Sequence, residues 1–173
     1  MGFKIGKTKA KEYIEYKYFP KDRNELRKIL IERLEEDTNA NLNDIDVSNI
    51  TNMSYIFEYL DPHNIDISEW NVSKVNDAHG MFWACKHFNS DLSNWDVSNI
   101  EDMYGMFYKC EIFNSDLSNW DVLNVNDAEI MFEYCRKFEG NGLENWHLPN
   151  IESMSDMFTG CYSLKNKPSW YKP

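Results

Sequence analysis

The sequence predicts an α/β repeat fold, a right-handed solenoid of about five 25-residue coils with an N-terminal helical cap. Two sets of residues recur at this period. Trp70, Trp95 and Trp120 lie 25 residues apart, and Cys85, Cys110, Cys135 and Cys161 lie 25, 25 and 26 residues apart. One coil of this length cannot bury its apolar face alone, so such repeats stack and share a continuous core.

Each repeat contains two apolar patterns that predict local structure. Apolar and polar residues alternate over 92–97, which predicts a short strand with Trp95 and Val97 facing the core. Apolar residues then recur at spacings of 3, 4 and 7, which predicts one or two turns of helix; they are Met103, Met106, Phe107 and Cys110. A good helix N-cap precedes each of these stretches. The predicted caps are Asn52, Asp77, Asp102, Asp127 and Ser153.

Charge divides the chain into two predicted parts, a strand-helix cap at 1–40 and the repeats at 41–173. Residues 1–35 contain 10 Lys/Arg and 6 Asp/Glu, a net charge of +4, whereas the remaining residues contain 8 and 23, a net charge of −15. A strand is predicted at 13–19, and Asp22 and Glu25 form a capping box for a helix that continues to Leu34. We expect this cap to cover one end of the stack. The two prolines of the tail, at 168 and 173, end the repeats.

The repeat motif resembles that of a known protein family. Its clearest copies, Asn89 to Cys110 and Asn114 to Cys135, read Asn-x-Asp-Leu-Ser-x-Trp-Asp-Val followed by Met-Phe-x-x-Cys. Over 41–164 the pattern resembles the repeat of BspA-like leucine-rich-repeat proteins, which are related to the Mycoplasma lipoprotein repeat domain. The resemblance implies a leucine-rich-repeat-like solenoid. It also implies an adhesin-type or other protein-binding role at a cell surface, without a catalytic residue set.

Cysteine and histidine spacings predict no metal or cofactor site. Each cysteine occupies the apolar position of its repeat, so we expect a buried column of reduced thiols. A disulfide or zinc site is the alternative, but the paired C-x-x-C spacing of zinc sites is missing. Four histidines occupy unrelated repeat positions and are interpreted as ordinary surface residues; they are His63, His79, His87 and His147. The tryptophan column is interpreted as core, with sugar or base binding as the alternative if it faced solvent.

The outward positions of the predicted strands form a column rich in carboxylates and amides. Stacked carboxylates about 4.8 Å apart repel by about 0.9 kcal/mol per pair even in water. Three interpretations remain open: side chains that solubilise an exposed sheet, a recognition surface for a basic partner, or a calcium site. The partner-binding candidates are Asp44, Asp46, Glu69, Asn71, Asn94, Asp96, Asn119 and Asp121.

These features favour a non-catalytic protein-protein interaction module that uses the acidic outer face of the repeats. The alternative is a small acidic inhibitor of a nucleic-acid-binding enzyme, a phage-type nuclease or CRISPR inhibitor that blocks a basic groove. The expected partner is another protein, with a basic nucleic-acid-binding enzyme as one candidate, and not nucleic acid itself. We expect no enzyme, because the chain lacks a Gly-rich phosphate loop, a nucleophile elbow and a His-metal motif.

No targeting or membrane segment is predicted. The first residues lack the apolar core of about 7 to 15 residues that a secretory signal needs. No apolar run reaches the roughly 18 residues needed to span a bilayer. We therefore expect a monomer without a membrane span, cytoplasmic as the sequence stands, or at the cell surface or secreted if a signal or anchor has been removed.

Overall fold

The computed structural model describes residues 14–172. Their regular structure is helix α1, Arg23–Glu36, and one short 3₁₀ turn, Leu143–Asn145. The other described residues form turns and isolated parallel bridges, without a β-sheet. The predicted α/β, leucine-rich-repeat-like right-handed solenoid of strand-and-helix coils is therefore wrong.

Consecutive turns replace the predicted helices of the repeats. Over 103–110, for example, the amide of Met106 donates to Met103 O at 3.1 Å, a bond between residues three apart that closes a β-turn. Gly105 and Lys109 have φ angles of 54° and 59°, which a right-handed helix cannot contain. Apolar residues that are three or four positions apart therefore lie at the ends of consecutive turns, and not along one face of a helix.

Turns also replace the predicted strands. The amide of Trp95 donates to Leu92 O at 3.1 Å, and the amide of Ile100 donates to Val97 O at 2.9 Å. Parallel pairing is confined to single residues, and the predicted helix caps form most of these pairs. Their bridges are Asn52–Asp77, Asp77–Asp102, Asp102–Asp127 and Asp127–Ser153.

Neighbouring 25-residue segments lie side by side, joined by backbone hydrogen bonds. Alternate amides of one segment donate to carbonyls of the next. In one such set, Met103, Gly105, Phe107 and Lys109 donate to Asp127, Glu129, Met131 and Glu133 at 2.8 to 2.9 Å. The intervening amides bond locally, so every amide over 103–110 has an acceptor without helix or sheet.

One hydrophobic core runs through the stacked segments. The indole rings of Trp70 and Trp95 stack at 6.4 Å between centroids, with their planes 5° apart. The indole N–H of Trp95 donates to Ile67 O of the preceding segment at 3.0 Å. These two tryptophans are 4% and 3% exposed, which confirms the prediction that the column is core.

The four cysteines are free and buried, as the sequence predicted. The Cys110 thiol donates to Phe82 O at 3.1 Å, and the Cys135 thiol donates to Phe107 O at 3.0 Å. Burial raises the pKa of both thiols well above the ordinary value, because the thiolate would lose its hydration. The protonated thiols serve as weak donors between segments.

Helix α1 covers one end of the stack. Asp22 caps it and accepts from the amides of Asn24 and Glu25 at 2.8 and 2.9 Å, which confirms the predicted start of the helix. Three of its side chains join the core: Leu26, Leu30 and Leu34. Within residues 14–172, no helix has the length and apolar character needed to cross a bilayer.

The chain closes the stack differently at the other end. Trp170 stacks on Trp146 at 6.1 Å between centroids, and its indole N–H donates to Leu143 O at 2.7 Å. Tyr13, where the predicted N-terminal strand begins, lies outside the described residues. The described part of that prediction, residues 14–19, is wrong, because these residues form no strand; Tyr18 forms a single bridge, to Ile45.

Candidate functional site

A row of polar residues crosses successive segments of the stack. We call it the bridge row: Asn52, Asp77, Asp102, Asp127 and Ser153. In each of its Asn and Asp residues, Oδ1 accepts the amide two residues later, at 2.8 to 3.0 Å. This Asx turn fixes the backbone that carries the next side chains, among them the partly exposed His79 and Tyr104.

Aromatic rings follow the first four residues of the bridge row. We call this set the aromatic strip: Tyr55, His79, Trp83, Tyr104, Tyr108 and Tyr134, all partly exposed. The His79 ring stacks on Tyr104 at 4.5 Å, and Trp83 lies 4.1 Å from Tyr108 between ring centroids. The Tyr55 hydroxyl lies 2.6 Å from His79 Nε2. The rings therefore form a connected surface across four segments.

Two glycines allow these rings to lie against the backbone of the next segment. Gly80 and Gly105 have φ angles of 55° and 54°, which disfavour any residue with a Cβ. A Cβ on Gly80 would collide with the Tyr55 ring, and one on Gly105 would lie 2.6 Å from Trp83 Cζ3. The backbone conformation and the ring contacts both require glycine at these two positions. The Tyr55 and Trp83 rings therefore rest directly on the backbone of the next segment.

Carboxylates border the aromatic strip and make it electronegative. Burial, and then the charges of Glu129 and Asp127, raises the pKa of the Tyr104 hydroxyl. Burial also raises the pKa of Asp127, with Asp102 and Glu129 contributing by repulsion. In both cases the neighbouring carboxylates add to the effect of burial and disfavour a further negative charge. The carboxylates of Asp102, Asp127 and Glu129 therefore favour the binding of a cation beside the strip.

Lys109 already places a cation on the strip. Its Nζ lies 4.9 Å from the centre of the Tyr108 ring and 5.9 Å from that of Tyr134. Hydrogen bonding to Tyr108 raises the pKa of the ammonium. Ring faces within about 6 Å of a cation attract it through their quadrupole. The strip is thus built of groups that bind ammonium and guanidinium ions.

The eight partner-binding candidates from the sequence lie in a different part of each repeat, at 44–46, 69–71, 94–96 and 119–121. Asp44 is engaged by the cap, since Arg33 Nη1 lies 2.9 Å and Lys17 Nζ 3.4 Å from its carboxylate. Four others accept the amide two residues later at 3.0 to 3.2 Å; they are Asp46, Asn71, Asp96 and Asp121.

The remaining three candidates are Glu69, Asn94 and Asn119, all exposed. The Asn119 amide donates to Ser93 O of the preceding segment at 3.3 Å. Much of this outer column therefore stabilises turns or joins segments.

The aromatic strip was not predicted from the sequence, because its residues lie outside the apolar positions of the motif. A signal was present. The variable positions two and six residues after the motif Asp hold His79 and Trp83 in one repeat and Tyr104 and Tyr108 in the next. Their alignment becomes a surface only once the segments stack.

Comparison with known proteins identifies a family. The model for a family described as Mycoplasma protein of unknown function, DUF285, matches residues 27–142 and 61–171. These overlapping matches extend from α1 to the C-terminal tail and cover most of the chain. No curated protein and no solved structure matches significantly. The chain therefore belongs to the Mycoplasma family DUF285.

Proposed function

We propose that this protein is a non-catalytic protein-binding module and that its aromatic strip binds a basic segment of the partner. The observation that supports this most is the connected row of partly exposed rings bordered by carboxylates. Aromatic side chains supply most of the energy at many protein interfaces, because they bury large surfaces at a small entropic cost. A partner Arg or Lys would meet a ring face and a carboxylate together.

Rigidity also supports binding at this surface. Asx turns hold the backbone beneath the rings, and Gly80 and Gly105 let Tyr55 and Trp83 rest on the next segment. A surface that is ordered before binding loses less entropy when the partner arrives. The same rings on flexible loops would bind more weakly.

The 25-residue motif further supports a relation to the BspA-like repeat proteins, which commonly are surface or secreted proteins that resemble adhesins.

One observation favours the second candidate, an acidic inhibitor of a nucleic-acid-binding enzyme. Residues 36–173 carry a net charge of −15. In that case binding would depend on the outer column, including Asp96 and Asp121, and would weaken steeply with salt.

Two variants separate the surfaces. Trp83→Ala with Tyr104→Ala removes the centre of the aromatic strip. Asp96→Asn with Asp121→Asn removes two charges of the outer column while the amide oxygens keep its Asx turns. Binding of a fluorescent hexa-arginine peptide is measured by polarisation, and partners captured from lysate of the source cells are compared by mass spectrometry. We expect the strip variant to bind at least about 30-fold more weakly, since two interface aromatics at about 1 to 2 kcal/mol each contribute about 2 to 4 kcal/mol together.

The controls are chosen to detect misfolding and unspecific charge effects. Tyr162→Ala removes a ring that is 78% exposed and outside the strip, so it should bind like the parent. A hexa-glutamate peptide should not bind. Unchanged binding by the strip variant, with binding lost in the column variant and in about 1 M salt, would reject the strip and support the inhibitor.

A further inference from the structure

Stacking brings together three residues of two neighbouring segments that lie 24 to 26 positions apart along the chain. Asp61 and His63 follow the turns of 52–60, and His87 follows those of the next segment, 77–85. The carboxylate of Asp61 accepts twice from His87: Oδ1 from the backbone amide and Oδ2 from Nδ1, both at 2.9 Å. The rings of His63 and His87 lie 4.8 Å apart between centroids.

We propose that Asp61, His63 and His87 bind one divalent metal ion of the zinc class. One ligand atom from each residue lies within 4.8 Å of the others. Bonds of about 2.1 Å to a tetrahedral ion need separations of about 3.4 Å between ligand atoms. The side chains of His87 and Asp61 are 56% and 33% exposed, so small rotations can close that difference without repacking the core.

The donor set selects the class of metal. Two imidazoles and one carboxylate suit zinc, copper, nickel or cobalt, whereas calcium and magnesium prefer oxygen ligands alone. The remaining coordination position would be open to solvent, because the cluster lies at the surface. Neutral imidazole is the ligand, so protons compete with the metal at acid pH.

The backbone around the cluster is well held. The amide of His63 donates to Thr38 O at 2.9 Å, and Pro62, between the two first-segment ligands, is buried. Because the ligands come from two neighbouring segments, an ion would link those segments. A ligand that binds the folded chain and not the unfolded chain raises stability. This site is independent of the aromatic strip.

Titration of the tag-free chain with zinc chloride tests the proposal. Isothermal titration calorimetry at pH 7.5 should give one ion per chain, and zinc should raise the Tm. His63→Ala and His87→Ala should each weaken zinc binding about tenfold or more and abolish the rise in Tm. His147→Ala, which removes an exposed histidine elsewhere, is the matched control and should behave as the parent.

Cobalt distinguishes this cluster from the thiols. Cobalt bound by imidazole and carboxylate gives weak visible bands, whereas a strong sulfur-to-metal charge-transfer band would show ligation by cysteine and overturn the assignment. Absence of zinc binding, or equal losses in His147→Ala and His87→Ala, would mean that Asp61 and His87 form a hydrogen-bonded pair only.

Discussion

Single side chains supply many of the hydrogen bonds that regular secondary structure makes in other proteins. Asp102 Oδ1 accepts the amide of Tyr104 at 2.8 Å, and the Trp120 indole donates to Leu92 O at 3.0 Å. Within residues 14–172, no buried side-chain nitrogen or oxygen lacks a partner. Asp and Trp therefore recur because the turn-built backbone needs their polar atoms, as well as because the core needs the indole rings.

Replacing Trp120 with Phe tests the indole hydrogen bond. We expect Trp120→Phe to lower the free energy of unfolding by about 1 to 3 kcal/mol, from a lost hydrogen bond and a smaller ring in a close-packed core. Urea denaturation measures the change. Trp83→Phe is the matched control, because Trp83 is partly exposed. Equal losses in the two variants would show that the buried indole N–H contributes nothing measurable.

Two carboxylates should respond to pH with opposite signs. Burial raises the folded-state pKa of Asp127, so its ionisation opposes folding, and this cost appears as pH rises through the folded pKa. We therefore expect Asp127→Asn to raise the Tm at pH 7 and to lose that advantage towards pH 3, while the amide oxygen keeps the turn bond.

Asp116 is the comparison for Asp127. The backbone hydrogen bond from Ser118 lowers the pKa of Asp116, so the ionised form supports folding above the unfolded pKa, and this support is lost as pH falls. Asp116→Asn should lower the Tm at pH 7. Thermal melts of both variants between pH 3 and pH 7 measure the signs, and a Tm change of the same sign in both at pH 7 contradicts them.

At the scale of elements, the sequence predicted helix α1 correctly and the secondary structure of the repeats wrongly. Helix α1 depends on local signals, an N-cap at Asp22 and apolar residues from Leu26 to Leu34. Within the repeats, the same spacing of three and four is compatible with a helix or with consecutive turns. Residues with positive φ, such as Lys109 and Tyr134, are compatible with turns and not with a right-handed helix. Neither Lys nor Tyr is a residue type that indicates a positive φ in the sequence.

Helix α1 completes the first segment through one arginine. Arg27 donates to the carbonyls of Ile56 and Glu58 at 2.9 and 3.2 Å. In the next segment the equivalent carbonyls, Met81 and Trp83, accept amides from the segment before. The guanidinium therefore takes the place of amides that a preceding segment would supply.

Replacing Arg27 tests this role of the cap. We expect Arg27→Ala to lower the free energy of unfolding by about 1 to 3 kcal/mol, because charge-assisted bonds to otherwise open carbonyls are lost. Lys28→Ala is the control, since the exposed pair of Lys28 with Glu32, at 3.8 Å, contributes about 0.3 to 0.5 kcal/mol. Chemical denaturation of both compares them; similar small losses would mean that water satisfies these carbonyls equally well.

At the scale of the whole molecule, stability comes from contacts between segments. The core is one continuous cluster, and most lateral hydrogen bonds join residues 24 to 26 positions apart. A single segment makes neither kind of contact alone. The same stacking aligns side chains from successive segments into rows, and these rows create the aromatic strip and the outer column.

The sequence by itself determined the 25-residue period, the buried Trp and Cys columns and helix α1. The period and the columns follow from the spacing of residues in the sequence, and helix α1 follows from its local capping signal. Only the tertiary structure decided the turn-built backbone, the aromatic strip and the cluster of Asp61, His63 and His87. The physical reason is that hydrogen bonds between stacked segments select one local conformation among several with the same apolar spacing. They also bring into contact side chains that are about 25 residues apart.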